Sequence, residues 1–102
     1  MAEIEWMQMT LKTAKPGNIV KLNNEHFFEI VTIRSENNAI TCEGHRIKYE
    51  EAFTYPCNSS FVGVVKVVSI SQKLQKFDLK NVIQKCVKLE IHSKVYLNTL
   101  LN

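Results

Sequence analysis

Glycine, proline and arginine are scarce in this chain, and each shortage excludes something. Gly17, Gly44 and Gly63 stand too far apart to form a loop that cradles phosphates. With only two prolines and no repeat or low-complexity run, no linker is visible, so residues 1–102 read as one domain. Arg34 and Arg46 are the only arginines, which leaves few groups for bidentate contacts to phosphate. The longest apolar stretch, residues 61–70, is interrupted by Lys66 and is too short to span a bilayer, so no membrane partner is expected. The start Met1-Ala2-Glu3-Ile4-Glu5 is acidic and lacks the pattern of a secretory signal.

Cysteine is sparse too. Cys42, Cys57 and Cys86 are odd in number and widely spaced, which predicts reduced thiols and an intracellular setting, cytoplasmic or nuclear. Cys42-Glu43-Gly44-His45 has the spacing of half a zinc site, but no second close pair completes four ligands. No metal and no cofactor is expected. Glu50 and Glu51 are adjacent, which puts their carboxylates on different sides of a strand and argues against an acid–base pair. A Cys–His nucleophile would need an orienting third group that no motif here supplies. The chain is expected not to be an enzyme.

What is present is mainly β pattern. Lys15-Pro16-Gly17-Asn18 reads as a turn, followed by a strand with Ile19, Val20 and Leu22. Asn23-Asn24 enters the left-handed region easily and predicts a tight hairpin into a strand over 27–33. After the polar turn Ser35-Glu36-Asn37-Asn38, a third strand is expected over 39–42, with Ile47 and Tyr49 in a further strand or its extension. Residues 61–71 form the strongest strand pattern, both parities being rich in β-branched residues. Barrel residues 15–71 are thus flanked by two other segments. Ile4, Met7 and Leu11 recur at helical spacing, predicting a short leading helix within 1–14, with Trp6 placed to plug one end of the barrel. Leu79, Val82, Ile83, Cys86 and Val87 recur at i, i+3, i+4, i+7 and i+8 behind a capping Asp78, predicting a helix over 79–88 in a helical or mixed extension, 72–102. Alternation of Val87, Leu89 and Ile91 is a competing strand signal that leaves 89–92 open.

Charge divides unevenly. Residues 1–60 carry six Lys/Arg against eight Asp/Glu, whereas residues 61–102 carry seven Lys against two acids. The spaced series Lys73, Lys76, Lys80, Lys85 and Lys88 reads first as a solvated face and second as a contact for nucleic acid.

The run Lys-Pro-Gly-Asn-Ile-Val-Lys-Leu, then Phe-Phe-Glu-Ile-Val-Thr-Ile, then Ala-Ile-Thr-Cys, with Trp6 ahead of it, resembles an SH3-like or Sm-like barrel. Over residues 4–70 its order is similar to the Sm-like Gemin proteins of the SMN complex. The resemblance implies a five-stranded barrel with short N-terminal and C-terminal helices. RNA-binding Sm proteins carry a loop Asn signature and an Arg-Gly pair; here the loop is Ser35-Glu36-Asn37-Asn38 and no Arg-Gly pair occurs. Sm-like members without those residues act as protein scaffolds that pair barrels edge to edge, and the resemblance implies the same here.

An open five-stranded barrel also leaves an edge that a partner strand can satisfy. The expected interface is Phe61, Val62 and Val64 on the long strand. Leu79, Val82, Ile83 and Cys86 would add a helical stripe, and Tyr96, Leu97 and Leu100 an apolar tail. The leading expectation is a non-catalytic subunit that pairs with another protein, or with its own kind, in a ribonucleoprotein assembly complex. Direct nucleic-acid binding through the lysine series is the alternative; a viral accessory protein that binds a host factor is a third.

Overall fold

The computed structural model, in which residues 1–7, 9–14 and 18–99 are described, forms strands in most places where β-branched and aromatic residues cluster. The strand expected over 61–71, however, starts only at Val64 and runs on to Asp78, with Phe61 and Val62 in a 3-10 turn ended by Gly63. β1 (Glu3–Trp6) and β2 (Met9–Lys12) make an N-terminal hairpin. β3 (Ile19–Leu22), β4 (Phe27–Glu36), β5 (Ala39–Glu51), β6 (Val64–Asp78), β7 (Val82–Ile91) and β8 (Lys94–Thr99) follow, with 3-10 turns at Ser59–Val62 and Leu79–Asn81. β3 to β8 close into one antiparallel barrel in the order β3-β4-β5-β6-β8-β7. The fold is mostly β, as expected, but six strands enclose it rather than five.

Turn chemistry sets the hairpins. Asn37 and Asn38 take positive φ (50° and 65°) between Glu36 and Ala39 and join β4 to β5. At the β3–β4 turn the left-handed residue is Glu25 (φ 69°), not an asparagine; the Asn24 side chain instead accepts from the His26 amide. His92 and Ser93 take the same role between β7 and β8. The turn expected at Lys15-Pro16-Gly17 lies outside the described residues.

The β3–β4 pair is buried on both faces. Neighbours Ile19 and Val20, and neighbours Phe27 and Phe28, point to opposite sides, yet all four are buried. Val20, Phe28, Ile30, Cys42, Phe77 and Leu79 belong to one core; Ile19, Phe27, Ile47, Val65, Cys86 and Leu97 form the other. Long strands β5 and β6 serve both cores by bending. Their register slips between His45 and Ile47, where Arg46 alone spans β6 residues 71–73, and again between Lys48 and Tyr49.

Neither flanking helix exists among the described residues. β1 and β2 instead form a hairpin in which Ile4 lies opposite Leu11 and Trp6 opposite Met9. Met9 and Leu11 enter the first core, Ile4 and Trp6 pack on it, and the indole N–H donates to the Val82 carbonyl at 2.9 Å. Trp6 therefore plugs that end of the barrel as expected, but from a strand. The expected helix over 79–88 is one 3-10 turn followed by β7. Asp78 does cap: its side chain accepts from the Lys80 amide at 3.1 Å. The chain then straightens, because β3 offers β7 a strand to pair with, Val20 opposite Lys85 and Lys21 opposite Gln84.

Candidate protein interface

β7 is longer than the strand it pairs with. β3 covers Val82, Gln84 and Lys85, and from Cys86 onward β7 pairs only with β8, leaving a two-stranded ribbon beyond the barrel. Strand alternation places Val87, Leu89 and Ile91 on one face of it, opposite Asn98, Tyr96 and Lys94. Cys86 and Leu97 occupy the other face and enter the core, so the three aliphatic side chains point outward, and all three are exposed (Leu89 43%).

β8 pairs with β6 only at Val64, Val65 and Lys66. Beyond Lys66 one edge of β6 has no strand beside it among the described residues, and Val68, Ile70 and Leu74 are exposed there. On the β5 side of the same stretch lies a groove of about 490 Å³, lined by Arg46, Lys48, Tyr49, Ser69, Ser71 and Gln75 together with Ile47.

A third apolar feature is the loop before β6. The Glu51 carboxylate accepts from the Ser59 hydroxyl, the Ser60 amide and the Ser60 hydroxyl, and these donors hold its carboxyl below the usual range, the Ser60 hydroxyl contributing most. Ser59 Oγ also accepts from the Ala52 amide, so both ends of the loop are tied together. Gly63 ends the 3-10 turn at φ 81°, a conformation glycine adopts without strain. The fixed loop presents Tyr55 (89% exposed) and Phe61 (77% exposed) to solvent beside Val62.

A family model matches residues 1–100. The chain belongs to the family described as Domain of unknown function (DUF8592). No curated protein and no solved structure matches it.

The DUF8592 barrel sorts the residues expected at an interface into two groups. Phe61 and Val62 are exposed, and Val64, Ile83 and Tyr96 are half-buried. Leu79, Val82, Cys86 and Leu97 are core residues, so the expected helical stripe is no docking surface. Leu100 lies outside the described residues. The open edge is also not that of a five-stranded barrel, since β8 closes the ring; it is the part of β6 that β8 fails to reach. In the sequence Leu89 and Ile91 carry only the competing strand signal, and that alternation is the clue to the ribbon.

The lysine series does not gather. Lys73 and Lys76 lie on β6, Lys80 pairs with Asp78 at 3.7 Å in the 3-10 turn, and Lys85 and Lys88 fall on opposite faces of β7. Among the described residues no three His, Cys, Asp or Glu side chains converge on a metal position. Burial, and then the charge of Asp78, pushes the Cys42 thiol up to about 11; burial pushes Cys86 up to about 12 against the opposing Lys21. Neither is a nucleophile at neutral pH. No helix among the described residues is long and apolar enough to cross a membrane.

Proposed function

We propose that this chain is a non-catalytic small-barrel subunit that acts by protein–protein assembly, in a complex that handles RNA in the cytoplasm or nucleus. The observation that carries the reading is the outward row Val87, Leu89 and Ile91 on a ribbon where, beyond Lys85, β7 has no strand on its β3 side among the described residues. Full burial of a wholly exposed aliphatic side chain contributes about 1.5–3 kcal/mol. Val87, Leu89 and Ile91 are 37%, 43% and 51% exposed, so each has about half of that or less to gain, enough for the three together to matter to an assembly. Phe61 and Tyr55 add aromatic anchors of the kind that dominate interfaces, already held by the Glu51 tie. The Sm-like part of the proposal draws on the strand order. β3 to β6 run consecutively and β7 returns to β3, with the 3-10 turn Leu79–Asn81 between β6 and β7 and β8 as an addition. The RNA context rests on the sequence resemblance alone.

Light scattering after size exclusion tests it, on the wild-type chain and on Leu89→Asp with Ile91→Asp. Both positions are exposed, so folding should survive the change. The wild type is expected to self-associate or to elute with a co-purified protein, and the double variant to elute as a monomer. A wild-type chain that is monomeric and partner-free at high concentration refutes the assembly reading.

A further inference from the structure

We infer that the free edge of β6 over residues 67–72 is a strand-addition site for an extended peptide that alternates carboxylate and apolar side chains; this deepens the assembly reading and rests on it. The site begins where β8 leaves β6 after Lys66. It ends where the Lys73 amide is already taken by the Ser71 hydroxyl, at 3.2 Å. The run between them is about 20 Å of strand. An added strand would satisfy its backbone groups.

Side-chain chemistry on the two faces of this run differs. Ser69 lies opposite Lys48 and shares its parity with Ser71, while Arg46 spans the bulge beside them. These residues line the 490 Å³ groove, which contains no carboxylate. Arg46, Lys48 and Lys73 form no ion pair among the described residues, whereas Lys66 already holds Glu50 at 3.6 Å. The opposite face carries Ile70, across from Ile47, with Val68 exposed at the neighbouring bulge. A docked strand would therefore place every second side chain beside Ser69 and Ser71, with Lys48 reaching toward it across Ser69 from the next strand, and the ones between beside Val68 and Ile70.

Charge also decides against a second copy of this chain. Residues 64–77 contain Lys66, Lys73 and Lys76 and no acid, so antiparallel self-pairing would bring like charges together. An acidic strand meets the opposite condition. Oppositely charged pairs raise the association rate and fix the register.

The probe is a fluorescein-labelled ten-residue peptide of alternating valine and glutamate, with a valine–lysine peptide and a ten-nucleotide oligouridylate as competitors. Fluorescence polarisation on the intact chain should show the acidic peptide binding at least tenfold more tightly than the basic one. The double variant Lys48→Glu, Lys73→Glu should reverse that preference; both side chains are exposed, so the fold should hold. Amide hydrogen exchange on the wild type should slow at residues 67–72 with the acidic peptide bound. Equal binding of the two peptides, or protection confined to the β7–β8 ribbon or to the loop before β6, overturns the proposal. So does protection of 67–72 by the oligouridylate in preference to the peptide, which would make the groove a nucleic-acid site. If wild-type chain still assembles through Leu89 and Ile91, the assembly reading survives that failure.

Discussion

Glu51 does at one position what the loop needs as a whole. Its carboxylate takes three donors from Ser59 and Ser60, and these charge-assisted bonds are strongest while it is ionised. Because they lower its pKa from the ordinary 4.5, the tie is complete above that value and is lost as pH falls through the lower folded value. The Ser60 amide resonance should therefore titrate below pH 4.5, with proteolysis between Phe53 and Phe61 accelerating over the same window. Glu51→Gln should remove the pH dependence and leave the loop open to cleavage at neutral pH. A Ser60 amide that does not titrate contradicts the tie. None of this was legible in the chain, where Glu50-Glu51 reads only as two carboxylates on alternate sides of a strand. The partners sit eight and nine residues further on, brought back by a loop whose closure sequence spacing does not encode. Cys42-Glu43-Gly44-His45 is the opposite case: the pattern was visible, yet strand alternation sends the thiol into the core and the imidazole to the other side.

At the scale of elements, the two misread segments share a cause. Ile4, Met7 and Leu11 recur at helical spacing, but Ile4 and Leu11 meet across a hairpin instead. Over 79–88 a 3-10 turn buries Leu79, and β7 then buries Val82 and Cys86 with Ile83 half-buried on the other face, so the apolar residues fall at helical spacing without a helix. Only beyond Cys86, where one face turns to solvent, does period-2 alternation show cleanly in Val87, Leu89 and Ile91. The strands over 19–22 and 39–42 are legible because polar turns with asparagine precede or follow them, whereas the run on to Glu51 shows only as the option carried by Ile47 and Tyr49. Gly44 shows what holds the β4–β5 pairing in place. A Cβ there would meet the Glu29 carbonyl oxygen of β4 well inside contact distance, and backbone cannot move aside as a side chain can. Gly44→Ala should therefore cost about 1–3 kcal/mol, as overpacking does. At about 4–8 °C per kcal/mol for a domain near this size, thermal unfolding should fall by at least ~4 °C. An unchanged midpoint would mean that β4 and β5 are not in this close register.

On the scale of the whole molecule, the two halves of the sequence are not two halves of the structure. The basic C-terminal third looked separable by charge, but β6 runs beside acidic β5, with Lys76 opposite Glu43 and Lys66 paired with Glu50. Residues 73–99 also supply Phe77, Leu79 and Val82 to one core and Cys86 and Leu97 to the other. Cutting the chain after Gln72 tests folding and not a docking extension at the C-terminus, because the barrel needs the strands that the cut removes. The truncated chain lacks the end of β6 and all of β7 and β8, so β3 loses its only partner besides β4 and the ring cannot close. Removing several fully buried side chains at about 2–5 kcal/mol each exceeds the roughly 5–15 kcal/mol by which domains of this kind are stable. The expected outcome is loss of the cooperative thermal transition in circular dichroism together with strong binding of a hydrophobic dye. If the truncated chain instead melts cooperatively and keeps its strand signal, residues 15–72 form an independent barrel, and the C-terminal strands are an attachment to it. In the folded protein the apolar surface left for a partner is then what the barrel cannot cover by itself: the ribbon row of Val87, Leu89 and Ile91, the stretch of β6 that β8 does not reach, and Tyr55, Phe61 and Val62 on the loop before β6.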